Sequence, residues 1–501
     1  MFNLINFQPR EYQLSILETC KNNNTLVVLP TGTGKTAVAL LLALERLNKF
    51  PDSKILVLSP TKPLSQQHIN TFKHDTDISH DKVILLTGLI KPEQRKEIIK
   101  DALVVVATPQ TIQKDLENNR INLKDFSMLC IDEAHRSRLN FANTHVTKAY
   151  FEQSLNPRVI ALTASPGGTL DKIKDIMKNL NLEAVEIRSE KDYDVIPYIQ
   201  KREIEWVNVE LPKELRDIHS LIKKIYLEKA KQLRSHGINK PLNLIGKKDL
   251  LMLQQELRKR LFEKNFSAYH GISLTAQLMK IDYALELLEV QSLSSLIKYF
   301  EKLKQDKSKA AVSLLKLKEF QEAINLAKNL YENRIEHPKF DKLKELVLNE
   351  LNINKDVKVI IFANFRDTVN DIYNNLTKNN VRCIRLIGQR EGLTQKEQIN
   401  VVKNFQEQDY NILICTSIGE EGLDISGANT VIFYEAVSSE IRKIQRVGRV
   451  ARLQAGKIIF LITKNTRDEA YFWSSYQKEK RMKKTLYGLK DQNIEEFLKE
   501  D

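Results

Sequence analysis

Short apolar runs rich in β-branched residues recur along this chain, and each is followed by a turn signal and then by a helical pattern. This alternation is typical of βαβ units, in which crossover helices join parallel strands. The runs fall into two sets, and we expect each set to form one parallel sheet. The first set is 26–29, 55–58, 83–86, 104–107, 128–131 and 159–162, and the second is 359–362, 384–386, 412–415, 431–434 and 458–462.

Between the two sets, from about residue 212 to residue 337, apolar residues recur at helical spacing instead. They form two stripes, namely Leu215, Ile218, Ile222 and Ile225, and Leu250, Leu253, Leu257 and Leu261. Residues 211–340 carry 25 Lys or Arg against 15 Asp or Glu, so this insert holds +10 of the net charge of +14. Such a surface favours polyanions. A nucleic-acid-gripping arm and a solvated helical spacer both remain open.

The composition is that of a globular protein, with 42% hydrophobic and 28% charged residues. The longest apolar run, residues 37–44, is far too short to span a membrane, and the first residues do not form a cleavable leader. We therefore expect a cytoplasmic protein with no membrane partner. Four scattered cysteines without a C-x-x-C pair are interpreted as reduced core residues rather than as a metal or redox site.

Residues 30–36, PTGTGKT, follow the first apolar run and open an Ala- and Leu-rich helical pattern. This context predicts a phosphate-binding loop, because glycines let backbone N–H groups turn towards phosphates at a helix N-terminus. Lys35 would reach the β- and γ-phosphates, and Thr36 would ligate Mg²⁺. Leu29 stands where the strict motif has its first glycine. The residues expected to bind ATP here are Thr31, Gly32, Thr33, Gly34, Lys35 and Thr36.

The tetrapeptide Asp132-Glu133-Ala134-His135 follows another apolar run. The carboxyl ends of parallel strands share one edge of the sheet, so we expect both carboxylates to lie beside the phosphate loop. Asp132 would hold Mg²⁺, and Glu133 would polarise the attacking water as general base. A surface acidic pair is the alternative. His135 has no second ligand at a suitable spacing, so it is interpreted as a coupling residue rather than a metal ligand.

The second half of the chain contains QRVGRVAR at residues 445–452. On a continuous helix, Gln445, Arg449 and Arg452 would share one face. Two guanidinium groups on that face could stabilise charge on the γ-phosphate as arginine fingers. A solvated basic helix is the alternative.

Six more segments carry hydroxyl, amide or basic side chains, and all but the first lie at the ends of predicted strands: QPREYQ at 8–13, SPTKPL at 59–64, ATPQTI at 107–112, LTASPG at 162–167, FANFR at 362–366 and TSIGEEGLD at 416–424. In this order and spacing, the motifs resemble those of superfamily 2 helicases. The resemblance is strongest to the archaeal Hef helicases, whose relatives include the Fanconi-anaemia M translocases and the helicase modules of Dicer and RIG-I-like proteins. Two further segments strengthen the resemblance to the Hef helicases, namely EHPKFDKL at 336–343 and NTRDEAYFW at 465–473.

The resemblance implies roles for individual side chains. Arg10 and Gln13 would read adenine, and Asp424 would contact the ribose. Thr163 and Ser165, with His135, would couple the nucleotide site to movement. The residues implied to touch the nucleic-acid backbone are Thr61, Lys62, Thr108, Asn364, Arg366 and Thr416.

The expected fold class is α/β, with two RecA-like parallel-sheet domains and an all-helical insertion domain between them. We expect the ATP-binding domain at 1–205, the basic insertion at 206–337, the C-terminal helicase domain at 338–485 and a tail at 486–501. In that tail, residues 492–498 bear a faint likeness to a sliding-clamp-binding peptide, although a frayed amphipathic end is the simpler interpretation.

By resemblance, the function is that of an ATP- and Mg²⁺-dependent DNA helicase or translocase acting on branched or forked DNA in replication-fork processing and repair, at the nucleoid. No E-R-K-type nuclease signature occurs, so DNA cleavage is not expected, and a separate nuclease or a sliding clamp would be a partner. Double-stranded RNA is the alternative track, that is, the nucleic acid along which the protein would move. An inactive binding scaffold is a third hypothesis, which the intact Lys35, Glu133, Arg449 and Arg452 argue against.

Overall fold

The computed structural model contains two parallel sheets and a bundle of helices between them in sequence. It describes residues 1–137, 139, 141–200, 202–388, 393–407, 410–416, 425, 427–437, 439–448 and 456–490. The expected fold class is confirmed.

The first lobe is an open parallel sheet with helices on both faces. Most of its strands are buried on both sides, as expected for parallel sheets made of continuous β-branched runs. The described strand order is β3-β4-β2-β5-β6-β1-β7. Its elements are α1 (Glu11–Asn22), β1 (Thr25–Val28), α2 (Lys35–Lys49), β2 (Lys54–Leu58), α3 (Lys62–Asp75), β3 (Val83–Leu86), α4 (Pro92–Asp101), β4 (Val104–Ala107), α5 (Pro109–Glu117), β5 (Phe126–Ile131), α6 (Ala142–Gln153), β6 (Val159–Thr163), α7 (Leu170–Asn179) and β7 (Ala184–Ile187).

After strand β8 (Arg202–Val209) the chain enters the helical bundle. The bundle consists of α8 (Lys213–Gln232), α9 (Lys247–Phe262), α10 (Ala268–Val290), α11 (Leu293–Gln305), α12 (Lys309–Leu315) and α13 (Lys318–Glu332). Both predicted apolar stripes face a shared core, where all their members are buried except the partly buried Leu261. The all-helical insertion is therefore confirmed.

The second lobe is a smaller parallel sheet with the described order β10-β11-β9-β12-β13-β8. Its elements are α14 (Pro338–Ile353), β9 (Val359–Phe362), α15 (Arg366–Lys378), β10 (Cys383–Leu386), α16 (Gln395–Gln406), β11 (Ile412–Cys415), β12 (Thr430–Phe433), α17 (Glu440–Val447), β13 (Gly456–Thr463) and α18 (Arg467–Lys490).

Two elements cross between the lobes. Strand β8 follows the first lobe in sequence but pairs along its whole length with β13, at the edge of the second sheet. Helix α18 begins in the second lobe, and its later residues Met482, Leu486 and Leu489 pack into the core of the first. A boundary at residue 205 therefore falls inside a strand, and one at 485 falls inside a helix. Strands β7 and β8 were not predicted, because both are edge strands with charged, partly exposed positions that break the apolar run.

The bundle is attached to the second lobe by buried polar contacts. Arg467 at the start of α18 pairs with Glu289 and Asp282 of α10, at 3.2 and 3.1 Å. The Ser292 and Ser294 hydroxyls, at the start of α11, donate to Asp371 at 2.8 and 2.6 Å. These contacts join the bundle to the second lobe.

All four cysteine side chains are buried, as the sequence analysis expects of core residues. Among the helices of the described ranges, none combines the length and the apolar composition that a membrane crossing requires.

Candidate nucleotide and nucleic-acid sites

The predicted motif residues of the first lobe follow five neighbouring strands, in the order β4, β2, β5, β6 and β1. Thr108 and Thr61 follow β4 and β2, Asp132 follows β5, Thr163 ends β6, and Lys35 begins the helix after β1. Because the strands are parallel, their carboxyl ends form one edge of the sheet. This edge thus separates into a part with the predicted nucleic-acid loops and a part with the predicted nucleotide groups.

The loop between β1 and α2 has the backbone of a phosphate cradle. Gly32 and Gly34 have φ values of +83° and +81°, which strain any other residue. A Cβ added at Gly34 would also lie 2.7 Å from the Gln13 side chain. The Lys35 ammonium lies 3.4 Å from the carbonyl oxygen of Leu29, across the loop. The first N–H groups of a helix point out of its N-terminus, so the start of α2 is suited to an anion.

The predicted adenine-reading segment, residues 8–13, contacts this loop through side-chain hydrogen bonds. The Gln13 amide donates to the carbonyl oxygens of Thr33 and Gly34, both at 3.3 Å, and the Tyr12 hydroxyl donates to the Thr33 carbonyl. Arg10 donates to the Tyr12 hydroxyl at 2.9 Å, and its guanidinium lies 4.6 Å from the ring centroid of Tyr198. Adenine contact by Arg10 and Gln13 stays a prediction, and the observed contacts place both residues beside the loop.

Asp132 is held as an anion by its neighbours. Its carboxylate lies 2.9 Å from Nε2 of His68, on α3, and accepts from the Glu133 N–H at 2.9 Å. Burial acts to raise the pKa of Asp132, but the hydrogen bond from His68 and the charges of His68 and Lys35 outweigh it, so the pKa lies below its usual value. An ionised carboxylate beside the phosphate loop is the form that Mg²⁺ requires.

Glu133 has a left-handed backbone conformation, with φ +53° and ψ +51°. This conformation is unusual for a residue with a side chain and is often found at functional sites. The Glu133 carboxylate lies 3.2 Å from Nδ1 of His135, which also lies 3.3 Å from the Thr163 hydroxyl. The Ser165 hydroxyl donates to the sulfur of Met482 at 2.9 Å. The three predicted coupling residues thus connect the acidic pair to α18, a helix that starts in the second lobe.

The predicted nucleic-acid loops of the first lobe contain accessible or unsatisfied polar groups. Lys62 and Thr61 are partly exposed at the start of α3. Within the part of the chain that the structure describes, the Thr61 hydroxyl oxygen is buried without a hydrogen-bond partner. The Thr108 hydroxyl contacts that of Thr111 at 2.8 Å. Binding to a nucleic-acid backbone by these residues stays a prediction.

The predicted nucleic-acid-binding residues of the second lobe lie just after strands. The Asn364 N–H donates to the carboxylate of Glu435, and the Asn364 amide donates to the Ala436 carbonyl at 3.4 Å. Arg366 donates to the Gly388 carbonyl at 3.3 Å. Thr416 is buried after β11. Asn364, Arg366 and Thr416 therefore lie along the carboxyl edge of the second sheet, as their position after strands requires.

Helix α17 brings the second lobe to the phosphate loop. It ends at Val447, and a Cβ added at the next residue, Gly448, would overlap the Thr31 side chain. Gln445 is buried one turn before this contact. Arg449, Arg452 and Asp424 lie outside the described residues, so a common face of Gln445, Arg449 and Arg452 stays a prediction.

Three family models match successive parts of the chain. They are DEAD/DEAH box helicase at residues 10–173, the helical bundle of an ATP-dependent RNA helicase family at 213–333, and helicase conserved C-terminal domain at 338–454. A solved structure, the Hef helicase domain of Pyrococcus furiosus, is 40% identical with a TM-score of 0.75, and the match covers 93% of this chain and 98% of that one. The chain belongs to the Hef-type superfamily 2 helicases.

Curated relatives of this Hef-type chain are longer than it is. A Methanocaldococcus jannaschii protein that carries the name of an ATP-dependent RNA helicase is 40% identical over 96% of this chain and 61% of its own length. The ATP-dependent DNA helicase MPH1 of Scheffersomyces stipitis is 31% identical, over 97% of this chain and 52% of its own length. The chain thus spans between half and two thirds of these relatives.

Two residues of the site escaped the sequence analysis. His68 lies six residues beyond Lys62, but nothing in its spacing shows that α3 turns it towards Asp132 on the neighbouring strand. Arg446 is wholly buried, donates to the Asn364 side chain at 2.8 Å and lies 5.0 Å from the ring centroid of Phe362. A single arginine in a basic octapeptide gives no sign of such burial, so only the packing reveals that it anchors α17 to β9.

The residues present fit ATP and a divalent cation. The left-handed glycines and the helix N-terminus suit phosphates, and the ionised Asp132 suits a hard cation. Thr36 is placed next to Lys35 in the first turn of α2, as a hydroxyl ligand requires. Among the described residues, no group of three or more His, Cys, Asp or Glu side chains comes together as a metal site. A cation held partly by phosphate oxygens and water fits such a sparse set of ligands.

Proposed function

We propose that this protein couples ATP hydrolysis to movement along nucleic acid. The observation that carries the proposal is the contact between Gly448, at the end of α17, and Thr31 of the phosphate loop. It places the start of the basic octapeptide of one lobe against the nucleotide site of the other. A nucleotide bound there would change how the two lobes meet, which is how lobe closure drives movement.

The proposed roles of the first-lobe groups rest on their surroundings, and those of Arg449 and Arg452 rest on the sequence motif. Lys35 and the N–H groups of the loop would hold the phosphates, while Thr36 and Asp132 would hold Mg²⁺, which would neutralise phosphate charge when bound. Glu133 accepts the proton of the attacking water. Arg449 and Arg452 stabilise charge on the γ-phosphate. His135, Thr163 and Ser165 transmit the state of the site to α18 through the Met482 contact.

We further propose that the track is branched or forked DNA, which would place the protein at the nucleoid. MPH1, similar over nearly the whole of this chain, is named a DNA helicase. ATPase activity should be measured with single-stranded, blunt duplex, forked and four-way DNA and with RNA duplex. The proposal expects the largest stimulation by forked or four-way DNA. Equal rates with and without every nucleic acid would refute nucleic-acid-coupled hydrolysis.

RNA duplex is the second candidate track, because the M. jannaschii relative carries the name of an RNA helicase. The same series of substrates decides between the two tracks. Stimulation by RNA duplex above that by forked DNA would favour RNA, since the 2′-hydroxyl is the feature that distinguishes the two backbones.

We propose that the helical bundle holds the track electrostatically. Arg234, Lys247 and Lys248 are exposed on it. Replacing all three with Gln should weaken fork binding and lower the slope of log K against log salt by about two to three, since each phosphate contact contributes about 0.9. The matched control replaces Lys21 and Lys49 with Gln, because these residues lie near the ends of α1 and α2, at the opposite edge of the first sheet. An unchanged slope in the bundle variant would make the bundle a spacer.

Point variants are a cleaner test than removal of residues 212–335. That deletion would also remove Glu289 and Asp282, which pair with the mostly buried Arg467 of the second lobe. A buried cation without partners is costly, so the deletion would confound loss of binding with loss of stability.

A further inference from the structure

The turn between α9 and α10 presents aromatic side chains to solvent. Phe262, Phe266 and Tyr269 are 91%, 71% and 59% exposed. We call residues 258–270 the bundle tip. Large aromatic residues are usually buried, and three exposed within eight residues indicate a binding surface rather than chance.

The bundle tip is an ordered turn. The Asn265 N–H donates to the Arg260 carbonyl at 3.0 Å, and the Ser267 hydroxyl donates to the Asn265 side chain at 2.7 Å. The rings of Phe266 and Tyr269 are parallel to within 7°, with centroids 6.5 Å apart. Two parallel ring faces held on a tight turn offer a flat apolar platform at little entropic cost to a ligand that stacks on it.

Basic residues lie close to these rings in sequence. Arg258, Lys259 and Lys264 are exposed, and no ion pair joins any of them to an acidic side chain within the described residues. Arg260 pairs with Glu256, and Glu263 is the other acidic residue of the turn. Exposed aromatic rings flanked by uncompensated Lys and Arg are typical of surfaces that bind single-stranded nucleic acid. Protein interfaces, in contrast, have few charged residues in their core.

The bundle tip lies far from the second lobe. Helix α10 is anchored there by Glu289, near its C-terminal end, whereas the bundle tip is at its N-terminal end. At 1.5 Å per residue, Ala268 lies about 21 Å from Asp282 and about 30 Å from Glu289, the two residues of α10 that pair with Arg467. The bundle thus holds the aromatic platform at the end of an arm.

We propose that the bundle tip binds unpaired bases at the branch point of the nucleic acid, with Phe266 and Tyr269 stacking on a base and the three cations contacting the adjoining phosphates. This inference rests on the proposed function and names the part of the substrate that the arm reads. Bases in the interior of a duplex hide their faces, whereas unpaired bases at a branch offer a ring to the platform. The bundle tip therefore distinguishes a fork from a blunt duplex.

The test is equilibrium binding without ATP, using forked DNA with 2-aminopurine at the branch and blunt duplex of equal length. In the wild type, binding should change the 2-aminopurine fluorescence. F266A/Y269A should weaken fork binding on the order of 10-fold, the typical loss for one base stack, and should abolish the fluorescence change. Duplex affinity should stay unchanged. Both side chains are mainly exposed, so the melting temperature should not move.

Two controls sharpen the test. F266Y/Y269F keeps both rings and should behave like the wild type. Tyr331→Ala removes an aromatic residue that is 44% exposed elsewhere on the bundle, and it should change nothing. Wild-type affinity of F266A/Y269A for the fork would overturn the inference and leave the platform to a protein partner. An equal loss for fork and duplex would also overturn it, because the platform would then not distinguish unpaired bases. The proposed function fails differently, through the absence of ATPase stimulation by every nucleic acid in the wild type.

Discussion

Two clusters of buried charged groups, one in each lobe, differ in what they contact. In the first lobe Asp132, its partner His68 and the nearby Lys35 lie at the nucleotide site, at the carboxyl edge of the sheet. In the second lobe Lys339 and Asp468 pair with each other, and neither side chain is exposed at all. The Lys339 ammonium also donates to the Tyr434 carbonyl at 2.7 Å.

The comparison distinguishes charged groups that are placed to bind a ligand from charged groups that stabilise the fold. Asp468 also accepts from the backbone N–H groups of Ala436 and Thr463, at 2.9 Å each, so the buried pair ties α14 and α18 to the ends of β12 and β13. The first-lobe groups have capacity left for phosphate and Mg²⁺. Substitutions in the Lys339–Asp468 pair should therefore reduce stability first, and substitutions of the charged groups at the nucleotide site should reduce turnover first.

The largest expected effect on folding comes from Lys339→Met, which leaves Asp468 buried without its cation. We expect the free energy of unfolding to fall by about 3–5 kcal/mol, the usual cost of breaking a buried ion pair. Denaturant unfolding measures it. Lys342→Met, on the same helix, removes a surface pair with Glu345 and should cost less than about 1 kcal/mol. Equal losses in the two variants would show that the buried pair does not stabilise the lobe.

Lys35→Ala should, in contrast, reduce activity much more than stability. Loss of its charge at the phosphates should lower the nucleic-acid-stimulated ATPase rate on the order of 100-fold or more. The melting temperature should hardly change, because the side chain is partly exposed. Lys49→Ala, at the other end of α2, is the matched control and should keep full activity. An active Lys35→Ala protein would remove the basis for the phosphate-loop assignment.

His68→Ala should have a smaller effect, transmitted through Asp132. Without the hydrogen bond from His68, burial dominates and the pKa of Asp132 rises. The acid limb of the ATPase pH profile should therefore move to higher pH, and the Mg²⁺ concentration for half-maximal rate should rise about 10-fold. His74→Ala, on the exposed side of the same helix, should leave both unchanged. If the ATPase rate falls but the acid limb of its pH profile does not move, His68 contributes only to packing.

The smallest effect is a pH dependence of stability in the second lobe. Burial raises the pKa of Glu435 to about 7. The folded state then holds this proton more tightly than the unfolded state, so the contribution of Glu435 to stability falls as pH rises from about 4.3 to about 7. Glu435→Gln removes the titration, and its melting temperature should fall less than that of the wild type between pH 5 and pH 8. Identical pH curves would contradict this assignment.

Several parts of this architecture could be predicted because their signals are local. The strands β1 to β6 and β9 to β13 coincide closely with apolar runs, since burial on both faces of a parallel sheet requires continuous apolar sequence. The phosphate loop could also be predicted, because its glycines are required by backbone conformation within a few residues. The apolar stripes of α8 and α9 indicated a bundle, although not which lobe carries it.

The sequence by itself thus determined the order of strands and helices, the chemistry of the nucleotide motifs and the charge of the insert, since each depends on neighbouring residues along the chain. Only the tertiary structure decided that β8 joins the second sheet, that α18 returns to the first lobe, that His68 meets Asp132 and that the aromatic rings of the bundle tip face solvent. These features depend on contacts between residues distant in sequence, whose free energy is set by packing and burial rather than by local propensity.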